Sequence, residues 1–178
     1  MSATLEQIAR YLDRSHVEYQ IDAERSCIIS ADSFPFPILI DLQEDGRYME
    51  IAVPQLLQVQ DHIYKGVLLQ TLLAISWETK MLRWEYDSID GEIRASIVLP
   101  LEDAILTESQ FNRSLNSLVQ LVDGCRSRIE AVLQTGEDPK QKALGEQLLL
   151  TLEANLPPGS LDMLDKAIAA RRQRLALI

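Results

Sequence analysis

Between positions 82 and 99 the chain alternates apolar and polar residues with a period of two. Leu82, Trp84 and Tyr86 fall on one face, and Arg83, Glu85 and Asp87 on the other. That is the pattern of a half-buried strand. After Asp87-Ser88-Ile89-Asp90-Gly91, the residues Ile93, Ala95, Ile97 and Leu99 resume the alternation against Arg94 and Ser96. The connection ends in Asp-Gly, where glycine tolerates the positive φ of a hairpin turn. A charged outer face predicts a sheet covered on one side only. A second hairpin is expected from Ile38, Ile40 and Leu42 alternating with Leu39, Asp41 and Gln43. It turns at Glu44-Asp45-Gly46 and returns over 48–53, with Pro54 expected to close it. Shorter strands are expected at 17–22 and 27–30, around Ala23-Glu24-Arg25, before Phe34-Pro35-Phe36-Pro37 resets the chain.

At residue 107 the period changes from two to between three and four. Thr107 followed by Gln110 forms a capping box, with Leu106 and Phe111 spaced as a hydrophobic staple. Phe111, Leu115, Leu118, Val122, Cys125, Ile129 and Val132 then predict one apolar stripe along a helix about 40 Å long. Such a stripe fits a short coiled coil or a helix lying across its own sheet, and the latter is expected. Thr4 and Gln7 offer another capping box, ahead of a short amphipathic helix carrying Leu5, Ile8, Ala9 and Leu12. Residues 61–76 predict a helix that is apolar nearly all round, with Ile63, Val67, Leu68, Leu69, Leu72, Leu73 and Ile75. It should therefore be buried on more than one side. Gly66 inside it leaves room for close approach of another backbone.

Strands in runs, without βαβ alternation, imply an α+β domain built on a twisted antiparallel sheet. Thr135-Gly136-Glu137-Asp138 interrupts the pattern, and Asp138-Pro139 starts again as an N-cap with proline at the first helical position. Leu144, Leu148 and Leu152 mark that helix, which ends at Asn155-Leu156-Pro157-Pro158-Gly159. Leu161, Leu164, Ala167 and Ile168 mark another after Ser160, with Arg171, Arg172 and Arg174 near its C-terminus. The expected organisation is one α+β domain over 1–134 and a C-terminal helical hairpin over 135–178.

The segments LRWEYD, EIRASIVLPLED and LTESQFNRSLNSLVQLVDGCRSRIEAVL together resemble the C-terminal half of the YbjN family, whose fold is that of the type III secretion chaperones. Leu99-Pro100-Leu101-Glu102-Asp103 and Leu106-Thr107-Glu108, with Phe111 one turn on, match that family's strand exit and helix start. The resemblance extends more weakly to residue 1 and stops near residue 134. It implies a secretion chaperone-like fold and a bacterial, cytoplasmic homodimer that holds an extended segment of a partner polypeptide. YbjN proteins themselves are described as candidate sensory-transduction regulators without a settled activity. The 40-residue helical tail departs from chaperones of this size.

Charge sharpens the choice of partner. The chain carries a net charge of −10. Six Lys or Arg against four Asp or Glu leave residues 139–178 at +2, so residues 1–138 carry −12. A phosphate backbone is thereby disfavoured as a partner, and no nucleic acid is expected. No apolar run reaches the ~20 residues that span a bilayer, and the start MSATLEQ lacks the apolar core of a signal peptide. No membrane partner is expected, and the cytoplasm is the expected location. Cys27 and Cys125 fit reduced core thiols.

Reactive chemistry is sparse. His16 and His62 stand alone, and no ligand spacing for zinc, no phosphate-binding glycine loop and no nucleophile elbow occurs. Asp87, Asp90 and Glu92 form an acidic turn whose register fails a calcium loop. Trp77 and Trp84 fit a core or a ligand pocket. No catalytic residue, metal or cofactor is expected. The expected function is that of a non-enzymatic protein-binding module, chaperone-like or regulatory, holding a segment of a partner polypeptide. The alternative is a small-ligand sensor or enzyme whose pocket forms only in the tertiary structure. The resemblance places partner binding on the first helix (Leu5, Ile8, Leu12) and the neighbouring strand (Ile38, Ile40, Leu42). It places a dimer contact on the middle helix (Ile63, Val67, Leu68, Leu72). The alternative cover for that helix is the C-terminal hairpin.

Overall fold

Ile28, Ile40, Ile51 and Ile97 stand side by side on four successive strands, and none is more than 1% exposed. This row is the centre of an antiparallel sheet seen in a computed structural model that describes residues 3–22, 24–102 and 104–175. Met1 and Ser2 of the MSATLEQ start, Ala23 of the expected turn and Asp103 of the strand exit lie outside the described residues. The six strands are β1 (Gln20–Asp22), β2 (Cys27–Ser30), β3 (Ile38–Gln43), β4 (Tyr48–Gln58), β5 (Arg83–Tyr86) and β6 (Glu92–Pro100), in the order β1-β2-β3-β4-β6-β5. Three helices, α1 (Leu5–Arg14), α2 (Lys65–Glu78) and α3 (Glu108–Thr135), pack on the isoleucine face. The fold is α+β, as the sequence pattern implies.

α3 follows its sequence closely. Thr107 accepts a hydrogen bond from the Gln110 N–H at 3.2 Å, while the Gln110 side chain accepts from the Thr107 N–H at 3.0 Å, completing the capping box. Phe111, Leu115, Leu118, Val122, Ile129 and Val132 are buried on the sheet and its neighbouring helices, with Cys125 half-buried beside them. The helix lies across its own sheet. Each such side chain removed from water contributes roughly 1.5–3 kcal/mol before conformational entropy is counted. Gly136 terminates α3 in the left-handed region at φ 72°, and a Cβ there would meet the Tyr64 ring at 2.5 Å.

Three expectations are corrected. Pro54 does not close the second hairpin, because β4 continues to Gln58 through a register shift between Val53 and Leu57. Pro54 has no N–H to donate, and the irregularity between Val53 and Leu57 takes it out of the ladder, with Gln55 there at φ 49°. The capping box of α1 is half-made. Thr4 accepts from the Gln7 N–H at 3.2 Å, but the Gln7 side chain donates instead to Leu106 O and Tyr11 Oη, both at 2.8 Å. It ties α1 to the approach of α3 instead of closing its own cap. Finally, α2 begins at Lys65, four residues later than the apolar run suggests, after turns in which His62 Nδ1 accepts from the Tyr64 N–H.

The chain divides into two compact units, residues 1–136 and 137–178. The second comprises α4 (Pro139–Asn155) and α5 (Ser160–Leu175), joined through Leu156-Pro157-Pro158-Gly159. Asp138 caps α4, its carboxylate accepting from the Lys140 N–H at 3.0 Å. Within this unit Leu144, Leu148 and Leu150 of α4 and Met163 and Leu164 of α5 remain exposed.

Candidate functional site

α2 is apolar on both sides but buried on one. Leu68, Thr71, Leu72 and Ile75 face the sheet and α3, whereas Ile63 before the helix and Leu73 and Trp77 within it are 82%, 71% and 92% exposed. Leu73 and Trp77, one turn apart, form the outward apolar pair of α2 itself. Ile63 in the turn before the helix and Met81 in the segment after it, at φ 69°, are exposed as well. Gly66, in the first turn of the helix, is exposed with nothing near the position of a Cβ. The Thr71 and Ser76 hydroxyls donate to carbonyls one turn back, Val67 O at 2.9 Å and Leu72 O at 3.1 Å. Single exposed apolar residues are ordinary on a protein surface, whereas a cluster that carries tryptophan is a candidate interaction surface.

The residues singled out from the sequence divide accordingly. Of the four expected at a dimer contact, Ile63 is exposed and Val67 half-buried, while Leu68 and Leu72 belong to the core. Trp77 fills neither a core nor a pocket. It stands in solvent, and Leu73 joins it. Of the expected partner groove, Ile8, Leu12, Ile38 and Ile40 are at most 1% exposed, with Leu5 and Leu42 half-buried at its margins. The first-helix stripe is therefore core. It staples α1 to the sheet and α3 with help from Tyr11, whose ring lies 5.8 Å from that of Phe111. Periodicity finds both apolar faces of a two-sided helix but cannot tell which one the protein itself covers.

A cleft of about 320 Å³ opens between Pro35-Phe36-Pro37, the β4 bulge at 53–57, and Val122 and Ile129 of α3. Its charged rim, Asp123, Arg126 and Glu130, lies on α3 alone, and Arg126 is paired with Glu130 one turn on at 3.1 Å. Among the described residues no three His, Cys, Asp or Glu side chains come together as a metal site. Likewise, no described helix is long and apolar enough to cross a membrane.

The sheet face opposite the helices is polar at its β5–β6 end and mixed elsewhere. Glu85 bridges Arg83 and Arg94 on that face. Burial pushes the Glu85 carboxyl up, but hydrogen bonds and charge from Arg94 and Arg83 outweigh it and hold the pKa below the ordinary value. For Arg94, burial pulls downward, and Glu85, with help from Glu50 and Glu92, raises the pKa overall. Burial, followed by the charges of Asp22 and Asp41, raises the Cys27 thiol. Asp87 and Asp90 at the hairpin tip accept from the N–H groups of Ile89 and Glu92, the arrangement of a solvated turn.

No known protein family matches the sequence, and no curated protein is significantly similar to it. Solved structures do share its fold. YbjN from E. coli is 12% identical with a TM-score of 0.53, over 70% of this chain and 92% of that one. A chain of the ExsC–ExsE complex is 15% identical with a TM-score of 0.54, over 72% and 97%. A chain of the HopA1–SchA chaperone–effector complex is 13% identical with a TM-score of 0.50, over 66% and 88%. The fold is thus that of YbjN and the secretion chaperones.

Proposed function

We propose that this chain is a non-enzymatic protein-binding module, chaperone-like or regulatory. It works in the cytoplasm, holds a segment of a partner polypeptide and pairs with a second copy of itself through α2. The observation that carries this is the exposed pair Leu73 and Trp77 on α2, flanked in the chain by exposed Ile63 and Met81, on a helix whose other face is already core. Two of the structures that share the fold are complexes with a protein partner, one of them named a chaperone–effector complex. Catalysis finds little support in the residues brought together, since the charged groups of the cleft all come from one helix surface.

Area constrains the dimer. A fourteen-residue helix is about 21 Å long and 10–12 Å wide, so its exposed face alone supplies a few hundred Å². Specific interfaces need roughly 800 Å² per partner. The remainder comes from neighbours, and the segment that follows α2 leads into β5, an edge strand of the sheet. Sedimentation equilibrium on the full chain tests this. A dimer is expected, and Leu73→Asp with Trp77→Asp should yield a folded monomer. A wild-type monomer at every concentration would remove the subunit interface from the proposal.

One observation favours a second reading, a small-ligand sensor. The cleft between the β4 bulge and α3 has the volume and apolar lining of a small-molecule site. Thermal-shift screening against hydrophobic metabolites, with Val122→Trp to fill the cleft, separates it from the first.

A further inference from the structure

Alternation along β4 sends Ile51 into the core and Glu50 to the face opposite α1, α2 and α3. There the cross-strand register lines up Asp22, Cys27, Asp41 and Glu50 in one row. The next row holds Ile29, Leu39, Ala52 and Ser96. Glu50 is only 8% exposed, and its two carboxylate oxygens are treated differently. Oε2 accepts from the Gln43 side-chain amide at 2.9 Å, whereas Oε1 is buried without a hydrogen-bond partner. The Ser96 hydroxyl, on the neighbouring row, is fully buried and also lacks a partner.

Three features make this more than a patch of acids. Asp41 stands directly opposite Glu50, and like charges in facing positions of adjacent strands destabilise the pair. The group between them is a neutral amide. Gln43 Nε2 lies 2.9 Å from Glu50 Oε2 and 3.3 Å from Asp41 Oδ2, which is where a cation between two carboxylates would stand. Arg94, whose charge interacts with Glu50, is already held by Glu85. An unsatisfied buried carboxylate oxygen is costly, and a guanidinium or ammonium is the donor that compensates it best.

We propose that this sheet face receives a basic residue from an extended segment of the partner polypeptide. The cation displaces the Gln43 amide and pairs with Glu50 and Asp41, while its aliphatic stem and apolar neighbours lie along Ile29 and Leu39. Long basic side chains cover apolar surface in this way while their charged end finds a partner. The −12 carried by residues 1–138 attracts such a segment and speeds its encounter. This inference rests on the protein-binding function proposed above and assigns the chemistry of the bound segment.

The test is fluorescence anisotropy with a labelled eight-residue peptide alternating isoleucine and arginine, against its isoleucine–glutamate counterpart, on the full chain. The arginine peptide should bind and the glutamate peptide should not. Glu50→Gln, which keeps the shape and removes the charge, should weaken binding roughly tenfold or more. Gln43→Ala should leave binding intact or tighten it. Asp41→Asn, at a half-buried position, gives a second charge removal should Glu50→Gln fail to fold. Equal binding of the two peptides, or arginine-peptide binding unchanged in a folded Glu50→Gln or Asp41→Asn protein, would overturn the assignment. Self-association through α2, measured on the same samples, is independent of that outcome, so failure here is distinguishable from failure of the protein-binding reading.

Discussion

Arg128 of α3 reaches Glu78 at the C-terminal end of α2, with Nη1 and Oε2 3.1 Å apart and the arginine side chain only 14% exposed. The bridge ties α3 to the last turn of α2, next to the exposed Trp77. A shielded arginine–carboxylate pair contributes more than the ~0–1 kcal/mol of an exposed one. Glu78→Gln is expected to lower stability by about 1 kcal/mol in urea denaturation, with an unchanged m-value.

Gly91 holds two segments of the sheet in close contact. Its φ is 81°, and a Cβ on it would lie 2.3 Å from the backbone nitrogen of Gln60. Its carbonyl also accepts from the Val59 N–H at 2.9 Å, so the hairpin turn and the end of β4 are held backbone to backbone. Gly91→Ala must strain φ and part the two segments. A loss of about 2 kcal/mol or more is expected by thermal or chemical denaturation.

Acid should weaken the β5–β6 hairpin through Glu85. Its pKa in the folded chain lies below its ordinary value of 4.5. The native state therefore binds the proton less readily than the unfolded chain, and the stabilisation is complete above that ordinary value. It is lost as pH falls through the lower folded pKa. With both arginines about half exposed, the contribution is about 1 kcal/mol. Glu85→Gln should lower stability at neutral pH and flatten its decline below pH ~4.5, measured by urea titration across that range.

Both thiols should be slow to react. Burial raises the Cys27 and Cys125 pKa values, so little thiolate exists at neutral pH, and Cys27 is in addition sterically closed. A colorimetric disulfide reagent at neutral pH is expected to titrate Cys125 slowly and Cys27 only on unfolding. Rapid reaction of both in the native protein would contradict the burial described.

Much of this scaffold was legible because local chemistry and tertiary packing agree in it. The Thr107–Gln110 box, the stripe of α3 and the alternation of β6 each specify the same answer as the sheet they join. The bulge was not legible, since Pro54 is an ordinary strand breaker until the partner strand shows where the ladder shifts. Gln7 likewise has the spacing of a capping box, and only the distant carbonyl of Leu106 draws it away. The candidate surface was half-legible. The sequence marks α2 as apolar all round, but Leu68 and Leu73 look alike until the position of α3 decides which is covered. Glu50 gives no signal at all, being an ordinary polar position in an alternating strand.

Trp77 supplies the most direct test, because it lies at the centre of the proposed interface and only one other tryptophan is present. In a Trp84→Phe background its emission and acrylamide quenching report α2 alone. At high protein concentration Trp77 should emit to the blue and be protected, and dilution should move emission to the red and restore quenching. Leu73→Asp should produce the red, quenchable state at every concentration without loss of helical circular dichroism. An indole that stays fully quenchable at all concentrations in the folded protein would contradict the interface.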